Sequence, residues 1–239
     1  MVELGNFIFR YRNVLFPLVF LAALIAGRPQ YPMGSPELDN VLDFVGVMLA
    51  LLGQGVRILT IGFEYIKRGG KDKQVYANEL VQGGIFAHCR NPMYVGNLLI
   101  VFGIALIIHS YVFYLVFVPF ILLAYISIVA AEEKFLLGKF GQQYADYCQR
   151  VNRWLPSFRG YPQSLANMHY NWRRVLVKEY STTFVLIAGL FGVEYWSEYS
   201  INGISALPAE EGLIGGVLVW ATLYISAWAL KKSGYIKAK

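Results

Sequence analysis

A chain of 239 residues, 56% hydrophobic and only 15% charged, carries too much apolar surface to hide around one water-soluble core. Val41 to Ile61 and Leu98 to Ala131 are apolar almost all round, which excludes a soluble globule built from amphipathic helices. The formal charge of +6 must therefore be distributed around membrane spans.

Hydropathy predicts six spans, near Val14 to Gly27, Val41 to Phe63, Met93 to Ser110, Tyr111 to Ala131, Arg174 to Tyr195 and Glu211 to Leu230. The expected fold class is all-α, a polytopic membrane bundle of about six transmembrane helices. The first span follows Arg10 and Arg12 and resembles a signal sequence, but no convincing small-residue cleavage site follows it, so a retained helix is expected. His109 and Ser110 mark a tight turn between the third and fourth spans, because one continuous helix would overshoot a hydrocarbon core of about 30 Å.

Basic residues set the orientation. Arg10 and Arg12 precede the first span, Lys67, Arg68, Lys71, Lys73 and Arg90 separate the second from the third, and Lys134 through Lys178 separate the fourth from the fifth. Lys231, Lys232, Lys237 and Lys239 follow the sixth. The other side holds Arg28 as its one basic residue beside Glu37, Asp39, Glu194, Glu198, Glu210 and Glu211, so the positive-inside rule puts both termini in the cytoplasm. The basic balance then needs no nucleic acid as partner, and membrane lipids are the expected surroundings. Cys89 and Cys148 both fall on the cytoplasmic side, where disulfides seldom persist. His88, His109 and His169 show no close ligand spacing, and no metal is expected.

Two segments carry the organised information. In "YANELVQGGIFAHCRNPMY", Tyr76 to Tyr94, Asn91 suits an N-cap and Pro92 the first helical position, so a helix begins there with an anion-attracting end beside Arg90. The residues alone also fit a simply capped membrane helix with a snorkelling arginine. In "EEKFLLGKFGQQYADYCQRVNRWLP", Glu132 to Pro156, Glu133, Leu137, Phe140, Tyr144, Tyr147 and Val151 recur at helical spacing. A peripheral helix packing an aromatic stripe explains the rings, but not two adjacent carboxylates at a bilayer surface.

Together these segments resemble the isoprenylcysteine carboxyl methyltransferase and phospholipid methyltransferase superfamily of integral membrane enzymes. The matching residues are Gly84, Phe86, Arg90, Asn91, Pro92 and Tyr94, then, after a hydrophobic hairpin, Glu132, Glu133, Leu136, Phe140, Gly141, Tyr144, Tyr147, Arg153 and Pro156. The resemblance spans roughly Leu80 to Pro156. It implies a methyltransferase core at 76–156, preceded by N-terminal helices at 1–75 and followed by a loop and helix pair at 157–239. It further implies S-adenosylmethionine held without a Rossmann fold in a cytoplasmic pocket. Gln82, Gly84, Phe86, His88, Arg90, Asn91, Pro92, Tyr94, Glu132, Glu133, Tyr144 and Tyr147 are the implied cofactor residues. Arg90 and the helix-start amides suit the cofactor carboxylate, Glu133 or Glu132 its ammonium, and the aromatic rings its adenine and sulfonium. Phe86 stands where many relatives have tyrosine, and the chain after Pro156 has no match.

Arg57 lies inside the second span, where an arginine costs at least about 2.5 to 3.5 kcal/mol. It must face protein or water, either in a clamp to Glu64 or a neighbouring helix, or on the wall of an acceptor cavity as a catalytic residue beside Arg90 and Glu133. Lys178 and Glu179 raise the same choice, with an interfacial position sufficing for both. The expected function is transfer of a methyl group to a lipophilic acceptor with a carboxylate, phosphate or amine head. A non-catalytic transporter or scaffold, or a sterol-reductase-like enzyme, on the same core are the alternatives.

Overall fold

The structure, a computed structural model, describes residues 1–63, 77, 79–166, 168–203 and 210–233. Glu64, Lys67, Arg68, Lys71, Lys73, Tyr76, Lys237 and Lys239 lie outside the described residues, as do the side chains of Glu210 and Glu211.

The described residues form α1 (Val2–Ala26), α2 (Pro36–Phe63), α3 (Pro92–Ile108), α4 (Phe113–Phe140), α5 (Gln142–Arg150), α6 (Tyr161–Ala166), α7 (Trp172–Asn202) and α8 (Glu210–Lys232). There is no strand among them. Helices α1, α2, α4 and α7 are long and apolar enough to cross a membrane, and α3 is a shorter apolar helix. With the apolar α8 they make the six expected spans, in a multi-pass bundle whose outer surface exposes Leu18, Ile25, Phe44, Leu115, Val185 and Leu218. In water that surface would be a liability; in hydrocarbon it is the solvated face.

Among the spans that run further than hydropathy predicts are α1, α4 and α7. α1 starts at Val2 because Arg10 and Arg12 do not interrupt it: Arg12 lies 4.1 Å from the Phe9 ring centroid and Arg10 5.5 Å from that of Tyr11. α4 continues past Ala131 to Phe140 and carries both carboxylates out of the hydrocarbon on regular helix. α7 begins at Trp172, where Asn171 Oδ1 accepts a capping hydrogen bond of 3.0 Å from the Arg174 amide.

α2 and α3 pack antiparallel with backbones almost touching. A Cβ placed on Gly53 would lie 2.5 Å from the Gly96 carbonyl oxygen, and one on Gly46 would lie 2.6 Å from that of Gly103. Both glycine pairs recur at a seven-residue spacing, so one seam of small residues replaces the hydrophobic drive that lipid cannot supply. α1 lies on α4 through rings: Phe16 meets Tyr125 edge-on at 5.6 Å, and Phe20 meets Phe113 at 5.7 Å. α8 stacks on α7, with Phe184 and Trp220 at 5.6 Å and nearly parallel.

The predicted turn after α3 is present, with His109 in the left-handed region at φ 44°. This hairpin returns α4 to the end of the bundle where α3 begins. Pro92 and Glu133 therefore lie at one end and His109 at the other, separated by the length of α3, about 25 Å.

Candidate active site

The phrase His88 to Asn91 is fastened to the chain that follows α5. The Arg90 amide donates to Asn152 O at 2.9 Å, the Ser157 amide donates to His88 O at 2.9 Å, and Asn91 Nδ2 donates to Arg153 O at 3.1 Å. Asn91 occupies the predicted cap position, but its side chain makes no capping bond because the amide group is committed to Arg153. Pro92 takes the first turn of α3 as expected. The buried His88 is also committed: Nδ1 lies 2.7 Å from Ser157 O and Nε2 2.9 Å from Ser164 Oγ. A carbonyl can only accept, so Nδ1 carries a proton and donates to Ser157 O.

Gly84 opens a short 3-10 turn, Gly84–Ala87, with φ 62°, a conformation that a side chain resists. The turn buries Phe86, and the Tyr147 hydroxyl of α5 donates to the Phe86 carbonyl at 2.7 Å. Gln82 Oε1 accepts from Arg150 Nη2 at 3.0 Å on the outer edge. Gly141, at φ 52°, lets the chain break from α4 into α5, which turns Tyr144, Tyr147 and Cys148 back toward Arg90.

Arg90 sits at the centre. Its Nη1 lies 3.2 Å from Glu133 Oε1 and donates to Cys148 Sγ at 2.7 Å. Glu133 is gripped from the other side by Arg153, through Nη2 at 2.6 Å and Nε at 3.0 Å. Burial alone would depress the Arg90 guanidinium, but Glu133, Cys148 and Tyr144 around it carry its pKa above the ordinary value. The same burial, with Glu133 nearby, holds the Tyr144 phenol well above its usual range. The buried Cys89 thiol is likewise pushed up by desolvation. Arg90 Nε is buried and has no hydrogen-bond partner among the described residues. Tyr94 donates to Glu132 Oε1 at 2.8 Å, so the two adjacent carboxylates face different partners.

Arg90 and Glu133, expected to hold opposite ends of one cofactor, are thus in direct contact, because the half-buried guanidinium needs a counter-ion. Arg153, recognised only as a motif residue, is the second cation of the cluster. Helical spacing cannot find it, since the chain reverses between α4 and Arg153.

Arg57 belongs to a second cluster. It grips Glu179 with Nη2 at 2.8 Å and Nε at 3.1 Å, while Nη1 donates to Asn97 Oδ1. Gln54 adds hydrogen bonds to Glu179 Oε2 and Thr183 Oγ1. Of the two clamps expected for Arg57, the structure shows the one to a neighbouring helix. Glu179 is buried with its side chain 4% exposed rather than interfacial, because leaving Arg57 unpaired in hydrocarbon costs more than burying its counter-ion. Arg57 shares no hydrogen bond with Arg90 or Glu133. The clusters approach one another through Tyr125, which feels Arg57 and Asn97 and lies 5.2 Å from the Tyr94 ring.

An all-helical multi-pass membrane bundle, with paired carboxylates, arginines and aromatic rings converging at one end, defines a membrane protein with a polar site at the edge of the hydrocarbon. Its central sequence, residues 42–143, matches the phospholipid methyltransferase family. The chain is 30% identical over 158 residues to the cobalt-zinc-cadmium resistance protein CzcN of Cupriavidus metallidurans, covering 64% of this chain and 67% of that protein. It is 30% identical over 125 residues to the protein-S-isoprenylcysteine O-methyltransferase of Tribolium castaneum, and 27% over 132 residues to that of Rattus norvegicus. Those alignments cover 50% and 52% of this chain and 43% and 45% of the two proteins, so less than half the length of each is matched. No solved structure matches significantly. The chain belongs to the superfamily of integral membrane methyltransferases that contains the phospholipid and isoprenylcysteine enzymes.

Proposed function

We propose that this protein transfers a methyl group from S-adenosylmethionine to the head group of a lipid or lipid-linked acceptor at the cytoplasmic leaflet. The observation that carries the reading is the convergence of Arg90, Tyr94, Glu132, Glu133, Tyr144 and Tyr147, from three separate segments, at one end of the bundle. The residues fit the donor's chemistry. The unpartnered, buried Arg90 Nε suits a carboxylate, the acidic pair suits an ammonium, and the rings of Tyr144 and Tyr147, 6.0 Å apart, suit a flat base and a sulfonium.

S-adenosylmethionine supplies an activated methyl group, displaced in line by the acceptor. The chain's own task is positioning and exclusion of water. Arg90 and Arg153 neutralise Glu133, and the Tyr147 bond to Phe86 O fixes the turn on which the site is built. With Glu133 held by two guanidiniums and Glu132 by Tyr94, neither carboxylate stands ready as a strong base, which favours an acceptor that is already an anion.

The charge distribution supports a cytoplasmic site, since Lys134, Lys139, Arg150 and Arg153 share its end of the bundle. A cavity of about 260 Å³ lies between α2, α7 and α8, lined by Ile58, Tyr180, Phe184, Trp220 and Leu223 and bounded by Glu179 and Thr183. It suits an acceptor's apolar part arriving laterally from the bilayer, with its head toward Arg57.

Calorimetry of purified protein with S-adenosylmethionine, followed by incubation with lipid extract and methyl-labelled donor, tests the reading. Binding and label in a lipid product are expected; absence of cofactor binding would leave a scaffold or transporter on the same core. Once an acceptor is known, shortening its chain should reduce turnover progressively, because each buried methylene contributes about 0.8 kcal/mol and six contribute about 5 kcal/mol. Equal turnover of a short soluble acceptor would exclude lateral access.

A further inference from the structure

The far end of the bundle holds a second polar cluster that methyl transfer does not use. Asp39 and Asp43 stand one turn apart on α2, and the α3–α4 turn brings His109 against them. One carboxylate oxygen from each aspartate and one imidazole nitrogen all lie within 4.8 Å of one another. His109 Nε2 is 3.7 Å from Asp39 Oδ1.

Two atoms in this cluster are buried with no hydrogen-bond partner among the described residues: His109 Nε2 and Asp43 Oδ1. The His109 side chain is only 5% exposed, so bulk water does not reach it. Its other nitrogen, Nδ1, lies 2.8 Å from the Tyr114 hydroxyl. When Nδ1 carries the proton and donates to Tyr114, the Nε2 lone pair lies 3.7 Å from an Asp39 carboxylate oxygen. Two electron-rich groups so placed repel unless a cation lies between them. Glu194 and Glu198 of α7 stand within electrostatic range of Asp43, which deepens the negative field.

We infer that Asp39, Asp43 and His109 form a binding site for one divalent transition-metal ion of the Zn²⁺ or Co²⁺ class. Two carboxylate oxygens and an imidazole nitrogen are a donor set for these ions, and a partner holding the second ring nitrogen is the usual support of a ligating histidine. Tetrahedral ligands about 2.0 to 2.1 Å from zinc stand about 3.4 Å apart, so the 3.7 Å between His109 and Asp39 needs only a small closure. Asp43 is half-buried rather than sealed, which leaves an approach for the ion. The site lies about 25 Å from Arg90, the length of α3, and is separate from the proposed active site. An ion there would neutralise part of a four-carboxylate cluster and tie α2 to the α3–α4 turn.

The test uses the full chain, purified in detergent and stripped with a chelator, then titrated with Co²⁺ alone and back-titrated with Zn²⁺. One ion per chain is expected, with visible Co²⁺ absorption that Zn²⁺ abolishes. His109→Asn and Asp43→Asn should each weaken binding at least tenfold, with helicity unchanged by circular dichroism. Should a variant fail to fold, X-ray absorption of the Zn²⁺-loaded wild type decides: nitrogen and oxygen ligands with an imidazole signature support the site. Sulfur ligation would place the ion at Cys89 or Cys148 and overturn it. So would wild-type affinity in both folded variants, or no stoichiometric binding, in which case the His109 ring simply turns an Nε2–H toward Asp39.

Discussion

Arg90 Nη1 lies 3.2 Å from Glu133 Oε1, joining the segment before α3 to the end of α4 through one half-buried ion pair. The pair is not isolated: Arg153 holds the second oxygen of Glu133 at 2.6 Å, and Cys148 accepts from Arg90. One carboxylate therefore organises two cations, and the site's affinity for a zwitterionic donor should depend on all three residues.

Replacing Arg90 by Ala or Glu133 by Gln should weaken S-adenosylmethionine binding tenfold or more, about 1.4 kcal/mol, because each removes a desolvated charge-assisted contact. Arg153→Ala should cost less, since its side chain is 46% exposed and water replaces part of the loss. Calorimetry on folded protein checks the ranking; undiminished binding in both Arg90→Ala and Glu133→Gln would remove these residues from the site.

Arg57 and Glu179 make the sharper stability test. Removing either partner strands a buried charge and should destabilise the protein by about 3 to 5 kcal/mol, whereas Arg57→Met combined with Glu179→Leu should cost much less. Thermal unfolding in detergent reads the difference. If the double variant is stable yet has lost turnover at normal cofactor affinity, the pair also serves the acceptor.

The glycine seam predicts a contrast within one helix. Gly53→Val or Gly96→Val should force α2 and α3 apart and lower the melting temperature, because the added atoms meet opposing backbone. Gly55→Ala, with open space around its position, should be neutral or stabilising by up to about 1 kcal/mol. Equal damage at positions 53 and 55 would contradict the close approach.

Alkaline pH should loosen the end of the bundle that holds the candidate site. Cys89 and Tyr144 both have pKa values pushed above their ordinary 9.0 and 10.0, chiefly by burial, so the folded state keeps protons that the unfolded chain loses first. Their contribution is complete below those ordinary values and disappears as pH rises through the raised ones. Unfolding followed from pH 8 to 11 should show falling stability, and Cys89 should resist alkylation in native protein at pH 8.

Sidedness is open to direct labelling. With Cys148→Ser as background, a cysteine at Gln142 should react only after permeabilisation of cells, and one at Glu198 from outside. The reverse pattern would overturn the charge-based orientation and place the proposed site outside the cytoplasm.

What was legible in the sequence followed from one-dimensional patterns. Apolar runs show the spans because a helix in lipid must be apolar along its length, and the turn at His109 follows from the thickness of hydrocarbon. Arg90 and Glu133 stand out in the sequence as a charge just before a predicted helix start and an acid at the end of a long apolar run, and the structure brings the two into contact. Where a side chain had a choice of partner, pattern was silent. Asn91 looks like a cap and instead binds Arg153, and Arg57 takes Glu179 on α7. Glu133 is bound by an arginine beyond a chain reversal, and Asp39, Asp43 and His109 meet only because α2 and α3 run antiparallel. Sequence determines which residues must avoid lipid unpaired; only the tertiary packing decides with whom they pair, because the cost of an unmet charge is satisfied by proximity in space, whatever the separation along the chain.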